Sequence, residues 1–555
     1  MVSENLVLGL TLLGSLLLVA SLGYFIHLRG KAMLLFFQQE EYDAHRIIRW
    51  WWHNRVFDRT TSLALLFIYL IELGFGFRSL AAVLMVSYAA AFAFYAGAVR
   101  SRAVLTSAKK RLVMTDRARR IHLMYLVLAV AAIAGIVLLS GSLGLLVGKV
   151  MFLLLLQAPL FVMLLANALL RPIEVRVRAL FLGEARQKLL EVSPKIAAIA
   201  GSYGKTSTKH ILAHILSAVE PTLATPGSVN TEMGITRIIR QDLEARHRFF
   251  VVEMGAYGPG AIRRLCALTP PDLGILTAIG LAHLERFGSQ DKVIEAKFEL
   301  AEAVSQKGGW TIVNAPRIPT GRLEAGMAGE DSLILLHHEE AADGWSGARI
   351  ARRQMSRAGL QIDLEIAATG TTLNLEAPLY GSHQAENVAL AALAALQLGI
   401  NEAIIKASLK TLPQIRHRLE VLPSKDGPTV IDDAYNSNPA GFAAALQVLD
   451  LFAEPAGKRY LITPGMVELG SEHDRQHLEL GRLAGKSIDV VLVVTPGRIP
   501  TFLEGIKETM GPEAELHTFA TQSEAEAYLK AAAGAPDVIL FENNLPDLFE
   551  QRLRL

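Results

Sequence analysis

The sequence predicts a multi-domain chain in which an N-terminal α-helical membrane region is followed by two α/β domains, the first with a P-loop and the last Rossmann-like. Three observations predict it. The long apolar runs nearly all fall before residue 171, a glycine turn at 201–207 joins an apolar run to a helical pattern, and after about residue 415 apolar runs alternate with helical ones. At 555 residues the chain is too long for one compact domain and has room for three or four. Hydrophobic residues make up 51% of the chain, but the excess sits at the front, so a membrane part and a water-soluble part follow. The 55 basic and 53 acidic residues nearly cancel, leaving no global field that favours nucleic acid as a partner. A single cysteine, Cys266, forms no internal disulfide and no zinc cluster alone, and reads as a small buried apolar residue.

Crossing a bilayer takes about 20 apolar helical residues. Leu6 to Leu28, Ser79 to Val99, His122 to Leu143 and Leu145 to Leu170 meet that length, and the shorter Ser62 to Phe77, which carries Glu72, gives a fifth span. The first segment is too long and its flank too poor in positive charge for a cleaved signal peptide, so it reads as an anchor. Arg29, Lys31, Arg46, Arg49, Arg55 and Arg59 fill the first connection, and Arg100, Arg102, Lys109, Lys110, Arg111, Arg117, Arg119 and Arg120 fill the third. Because basic loops stay on the cytoplasmic face, five spans put the N-terminus outside and everything after Arg171 in the cytoplasm, a multi-pass inner-membrane layout. Trp50-Trp51-Trp52 beside His53 and Arg55 reads as an interfacial amphipathic segment or a plain anchoring belt. Glu72 reads either as a functional carboxylate or as a group snorkelling to the outer surface.

The apolar run Lys195 to Ala200, the turn Gly201-Ser-Tyr-Gly204-Lys205-Thr206-Ser207 and the helical pattern through Leu216 form a strand, a glycine turn and a helix. Glycines let the backbone approach phosphate oxygens, and the helix N-terminus supplies oriented N–H groups. Lys205 neutralises β- and γ-phosphates, and Thr206 offers a hydroxyl to Mg2+. The spacing departs from the common Walker form, since Ile199 stands where its first glycine would be. A strand at Phe249 to Val252 delivers Glu253, a metal carboxylate, at its C-terminal end, where open α/β sheets gather functional groups. A third run, Leu273 to Ile279, precedes His283. Taken alone, His283 reads as a structural histidine and Lys297 as a solvated helical lysine.

Four further stretches complete a pattern: Thr225-Pro-Gly-Ser-Val-Asn230-Thr231, Glu253-Met-Gly255-Ala-Tyr-Gly-Pro259-Gly260, Thr277 to Ser289 around His283, and Gly381-Ser-His383-Gln-Ala-Glu-Asn387. With His417-Arg418-Leu-Glu420 and Asp432-Asp433-Ala-Tyr435-Asn436-Ser-Asn438-Pro439, the chain resembles the Mur ligase family over roughly residues 193 to 550, most closely its MurF branch. That resemblance implies an ATP- and Mg2+-dependent, ADP-forming ligase of cell-wall (peptidoglycan) type, activating a carboxylate as an acyl phosphate for attack by the amine of an amino acid or dipeptide. It implies Gly201, Gly204, Lys205, Thr206 and Ser207 around the phosphates, and Thr206, Glu253, His283 and Lys297 at metal, the lysine as a carbamate. It further implies Asn387 at adenine, Arg418 at the γ-phosphate, Asp433 at ribose, and substrate contacts from Asn230, Thr231, Asn436 and Asn438. Lys205, Lys297, His283 and Arg418 would then be catalytic. The expected domains are 1–175, 190–412 and 415–555, with a hinge near Leu412 to Arg416.

The chain departs from the family in two places. Relatives carry Gly-Asp-Met where this chain has Pro464-Gly465-Met466, ahead of Glu468-Leu469-Gly470. Membrane spans also replace the soluble front domain that grips a UDP-sugar peptide. The expected acceptor is therefore a lipid-linked or membrane-proximal carboxylate held at the bilayer. A poly-γ-glutamate-synthase-like polymer ligase and a nucleotide-gated membrane scaffold without ligase activity are the alternative readings. Residues 317 to 380 suggest a β-rich insertion with strands at Gln361 to Ile366 and Thr371 to Leu375.

Overall fold

The computed structural model describes residues 4–54, 56–75, 80–108, 111–256, 258–280, 287, 289–318, 332–338, 346–435, 437–467 and 469–544. The described chain forms two compact units, one ending at Val177 and one running from Arg178 to Asn544.

The first unit is helical: α1 (Glu4–Gln39), α2 (Ala44–Asn54), α3 (Thr60–Phe75), α4 (Leu80–Ser107), α5 (Asp116–Leu143), α6 (Leu145–Leu156) and the start of α7 (Pro159–Val192). Three stretches, Gly9–Gln39, Ala82–Thr106 and Asp116–Leu143, are long and apolar enough to cross a membrane, and α6 with α7 adds a fourth if that bent pair is one span. The 16 residues of α3 rise about 24 Å, short of the roughly 30 Å hydrocarbon core. Two expectations are corrected. The first span does not stop at Leu28, because Met33, Leu34, Leu35, Phe36 and Phe37 are buried against Ile47, Trp51, Ile121, Leu160 and Met163, and that packing carries the helix on to Gln39. Leu145 to Leu170 is not one helix: it bends by 73° at Gln157 and Ala158. Pro159 lacks an N–H and its ring clashes with the preceding turn, so it ends α6 and serves as the first residue of α7. The tryptophan run is largely internal. Trp50 stacks on Phe36 with ring centres 4.8 Å apart and Trp51 is buried beside Phe57 and Phe161, leaving only Trp52 facing outward. Glu72 is ion-paired with Lys149 at 2.6 Å.

The second unit holds two sheets. Strands β1 (Lys195–Ala200), β2 (Thr222–Ala224), β3 (Phe249–Glu253), β4 (Leu273–Leu276), β5 (Trp310–Asn314), β6 (Leu333–His337), β7 (Ala348–Ser356), β8 (Gly359–Ile366) and β9 (Thr371–Ala377) form the first, in the order β2-β3-β1-β4-β5-β6-β7-β8-β9. Pairing is parallel from β2 to β7 and antiparallel through β8 and β9, so the expected β-rich insertion extends the parallel sheet. Helices α8 (Lys205–Ser217), α9 (Glu232–Asp242), α10 (Ala261–Leu268), α11 (Gln290–Gln306), α12 (Ser382–Gln397) and α13 (Glu402–Lys410) accompany it. Successive β1 side chains point to opposite faces: Ala197 and Ile199 join a core with α8 and α12, while Ile196 and Ala198 join one with α9, α10 and α11. Burial on both faces explains why β1 reads as an unbroken apolar run. Cys266 is buried in the second of these cores.

The second sheet comprises β10 (Glu420–Leu422), β11 (Thr429–Asp433), β12 (Arg459–Thr463), β13 (Val490–Val494), β14 (Glu515–Phe519) and β15 (Val538–Glu542), ordered β10-β11-β15-β12-β13-β14 and parallel except for β10. Its helices are α14 (Pro439–Phe452), α15 (His473–Ser487), α16 (Pro500–Thr509) and α17 (Gln522–Ala532). Arg357, at the β7–β8 turn, ties the two sheets together by donating to the carbonyls of Leu451 and Ala453 and to Glu454.

Candidate active site

The turn after β1 is built for close approach to a ligand. Gly201 (φ 152°) and Gly204 (φ 83°) take backbone conformations that side chains resist. A Cβ on Gly204 would lie 2.5 Å from the Asn387 amide oxygen, and one on Gly201 would collide with the Thr277 hydroxyl. The end of β4 braces the turn, since Ser202 N–H donates to Ala278 O at 2.6 Å and the Thr277 hydroxyl donates to Tyr203 O. Lys205 opens α8 and folds back on the loop, its ammonium donating to Gly201 O (2.9 Å) and Ser202 O (3.1 Å). Burial lowers its pKa, Lys209 and Arg418 push the same way, and Glu253 opposes them.

Parallel pairing sets Glu253 beside Ile199, level with the start of this turn. One carboxylate oxygen accepts from Thr206 (2.9 Å) and Lys209 (3.2 Å), the other from Asn230 (3.1 Å). Burial pushes the Glu253 carboxyl up, but Lys205, Lys209 and the Asn230 and Thr206 hydrogen bonds outweigh it, and its pKa lies below the ordinary value. Lys209, fully buried and also bonded to Gly227 O, escaped the sequence reading. The signal was its position, four residues after Lys205 and therefore on the same face of α8. Lys297, solvated only when its own stretch is read alone, is 2% exposed, and burial with help from Lys205 holds its pKa well below the usual lysine value. Carbamylation needs the uncharged amine, and burial favours that form, so the residue fits carbamylation. A hydroxyl and a carboxylate at one sheet edge are the hard oxygen donors that Mg2+ takes, so Thr206 and Glu253 fit that ion. His283 and Asn436 lie outside the described residues.

The remaining residues have visible structural tasks. Asn387 accepts from Thr208 (3.2 Å) and donates to Gln384 (2.9 Å), which locks α12 onto α8, and Gln384 reaches Ser207. Glu386, also unforeseen, takes a paired hydrogen bond from Arg317 and one from Asn314 (2.8 Å). Thr231 caps α9 and Asn438 caps α14 through their side-chain oxygens. In the second sheet, His417 and Leu419 both have left-handed backbones (φ 58° and 52°), a strained turn that presents Arg418 between them. Arg418 lies over the Tyr435 ring at 4.3 Å, and Tyr435 in turn hydrogen-bonds Ser228 from the first sheet's loops. Asp433 accepts from Leu419 N–H (3.2 Å) and lies opposite Glu542 on β15. Burial pushes Asp433 up to about 7 against the pull of Arg418, and burial beside Asp433 pushes Glu542 well above the carboxylate range.

Comparison with known proteins fits this arrangement. The Mur ligase middle domain matches residues 199–396, and the domain described as Mur ligase, glutamate ligase domain matches 417–542. The UDP-N-acetylmuramoyl-tripeptide–D-alanyl-D-alanine ligase of Mycobacterium tuberculosis is 32% identical over 310 residues, covering 55% of this chain and 59% of that protein. The protein of that name from Escherichia coli K12 is 30% identical over 340 residues, 59% of this chain and 73% of its own. Among solved structures, MurF ligase from Thermotoga maritima in complex with ADP superposes with a TM-score of 0.56 at 25% identity, covering 68% of this chain and 82% of that one. The chain thus spans only three-fifths of the mycobacterial relative's length.

Proposed function

We propose, from the premise that this chain belongs to the Mur ligase family, that it is a membrane-anchored, ATP-dependent carboxylate–amine ligase of the MurF kind. One observation carries the reading: Lys205, Thr206, Glu253 and the buried Lys209 converge on the glycine turn of a chain whose relatives are ligases. ATP would supply the γ-phosphoryl group that converts a carboxylate to an acyl phosphate, and Mg2+, when bound, would neutralise the charge that develops on it.

The chain's own residues do the positioning. Glycines 201 and 204 admit the phosphates to the backbone, and Lys205 exchanges its loop carbonyls for phosphate oxygens. Thr206 and Glu253 would hold the metal, joined by His283 and, as its carbamate, Lys297. Arg418 is presented from the second sheet toward the γ-phosphate, Asp433 and Asn387 serve the nucleoside, and Asn230, Thr231, Asn436 and Asn438 line the substrate path. Fixed cations around the transferred group stabilise the tetrahedral intermediate formed when the amine attacks. Domains at 190–412 and 415–555 close about 412–416, with 1–175 as the anchor.

The donor is an amino acid or dipeptide, and the acceptor is a lipid-linked or membrane-proximal carboxylate in cell-envelope synthesis. The apolar helices of the first unit support anchoring in the inner membrane with the ligase in the cytoplasm. Phosphate release by the full-length protein in detergent, against amines with and without lipid-linked acceptors, tests the reading with Lys205→Ala as control. Release that needs both substrates is expected; release that needs neither, or that survives Lys205→Ala, points to a nucleotide-gated regulator instead.

A further inference from the structure

The carboxylate beside the glycine turn already has a cation of its own. Lys209 lies one helical turn beyond Lys205 on α8, and its side chain is fully buried. Its ammonium donates to Glu253 Oε2 at 3.2 Å and to the carbonyl of Gly227, in the loop that follows β2. Glu253 Oε2 also accepts from the Thr206 hydroxyl at 2.9 Å, and Oε1 accepts from the Asn230 amide at 3.1 Å. An amide and a hydroxyl therefore orient the two oxygens already, and what Lys209 adds is its charge. Lys205 and Thr206 are only half-buried, so the turn reaches solvent beside them.

The local balance of charge is positive. Among the described residues, the ionised groups that act on one another here are Lys205, Lys209, Arg418 and Glu253, three cations around one carboxylate. Burial disfavours a charge on Lys297 and so adds nothing negative. A divalent cation that comes alone increases the positive excess, and like charges repel strongly where water is scarce. Mg2+ sites of this type ordinarily combine one or two carboxylates with substrate phosphates, so the ion's own charge and that of the phosphates belong to the same balance. A triphosphate docked on the glycine turn supplies the negative charge that the side chains lack.

We propose that Lys209 makes metal binding conditional on nucleotide. It serves Glu253 as a fixed counter-ion, repels a divalent cation that comes alone, and admits one that comes with the triphosphate. Linkage makes the effect reciprocal: the factor by which nucleotide tightens metal binding is the factor by which metal tightens nucleotide binding, and Lys209 sets both. Its second bond, to Gly227 O, ties the loop that carries Asn230 to the same ammonium, so the charge sits in one place on α8. This inference rests on the reading that Thr206 and Glu253 hold the metal.

The test is Mn2+ binding to the full chain in detergent, read by electron paramagnetic resonance with and without AMP-PNP, a triphosphate that resists hydrolysis. The wild type is expected to bind Mn2+ roughly 10-fold or more tightly with AMP-PNP than without it. Lys209→Met is expected to bind Mn2+ alone about 10-fold more tightly than the wild type does, even as its melting temperature falls. A purely structural role would weaken both. Lys209→Gln keeps hydrogen-bond donors for Glu253 and Gly227 but not the charge; it is expected to gain Mn2+ affinity likewise and serves if Lys209→Met does not fold. Lys209→Arg, which keeps the charge, is expected to exclude free Mn2+ as the wild type does. Nucleotide-free Mn2+ binding that is no tighter in the neutral variants than in the wild type overturns the proposal, and so does wild-type binding that AMP-PNP leaves unchanged. Glu253→Gln with AMP-PNP separately tests the metal reading. If that variant loses Mn2+ while the neutral Lys209 variants match the wild type, only the role of Lys209 is refuted; if it keeps Mn2+, both are.

Discussion

Substituting Lys209 by methionine tests the electrostatics of the glycine turn. Its ammonium is fully buried, and the Glu253 carboxylate it meets at 3.2 Å is 2% exposed. Removing one partner of such a pair strands the other charge, at a cost of ~3–5 kcal/mol. Glu253 keeps its hydrogen bonds from Thr206 and Asn230 and the field of Lys205, so about 3 kcal/mol is expected. For a unit of this size that corresponds to a fall in melting temperature on the order of 5 °C. The loss has a pH signature. Glu253 has a folded pKa below its ordinary value, so the stability it contributes is present above that value and disappears as pH falls through the depressed one. The gap between wild type and Lys209→Met should therefore narrow below about pH 4.5. Lys209→Met/Glu253→Gln, which removes both charges, should cost less than the sum of the single variants. Thermal unfolding of the detergent-solubilised protein between pH 4 and 8 reads all three. An unaltered melting temperature in Lys209→Met, or strict additivity in the double variant, would refute the reasoning.

Four other outcomes follow from the same structure. Gly204→Ala forces a side chain onto a φ of 83° and into the Asn387 oxygen, so ATP affinity by equilibrium dialysis should fall at least 10-fold with the fold retained. Asp433 and Glu542 have folded pKa values above their ordinary ones; the contribution of Asp433 to stability is complete below the ordinary 3.8 of an aspartate and is lost as pH rises through about 7, and Glu542, raised well above its ordinary value by burial beside Asp433, adds a loss of the same sign. Glu542→Gln should make that decline shallower in a pH series of unfolding curves. Lys297→Ala should retain nucleotide binding but lose amide formation, whereas intact ligation would remove this lysine from the machinery. Arg357→Ala deletes the bonds to Leu451, Ala453 and Glu454 and should speed limited proteolysis within 412–416.

Much of this architecture was legible because the chemistry constrains the spelling. A phosphate loop needs glycine where the backbone bends, and Gly201 and Gly204 occupy those places. Doubly covered parallel strands need apolar side chains on both faces, so β1, β3 and β13 announce themselves. The β-rich insertion was visible as alternation in β8 and β9. What escaped depends on packing between distant segments. Lys209 differs from an ordinary helical lysine through its meeting with Glu253, 44 residues away. The break before Pro159 was masked by a hydropathy that runs unbroken across it, and the extension of α1 to Gln39 by contacts with α2, α5 and α7. The pairing of Arg317 with Glu386, 69 residues apart, left no local trace.

The central claim is that a carboxylate, not water, receives the phosphoryl group. An acceptor that supports turnover, labelled with 18O in its carboxylate, tests it directly when the released phosphate is analysed by mass spectrometry. Activation as an acyl phosphate predicts one carboxylate-derived 18O in each phosphate formed, together with amide product. Unlabelled phosphate would mean that the site hydrolyses nucleotide with water, and would contradict the assignment as a ligase.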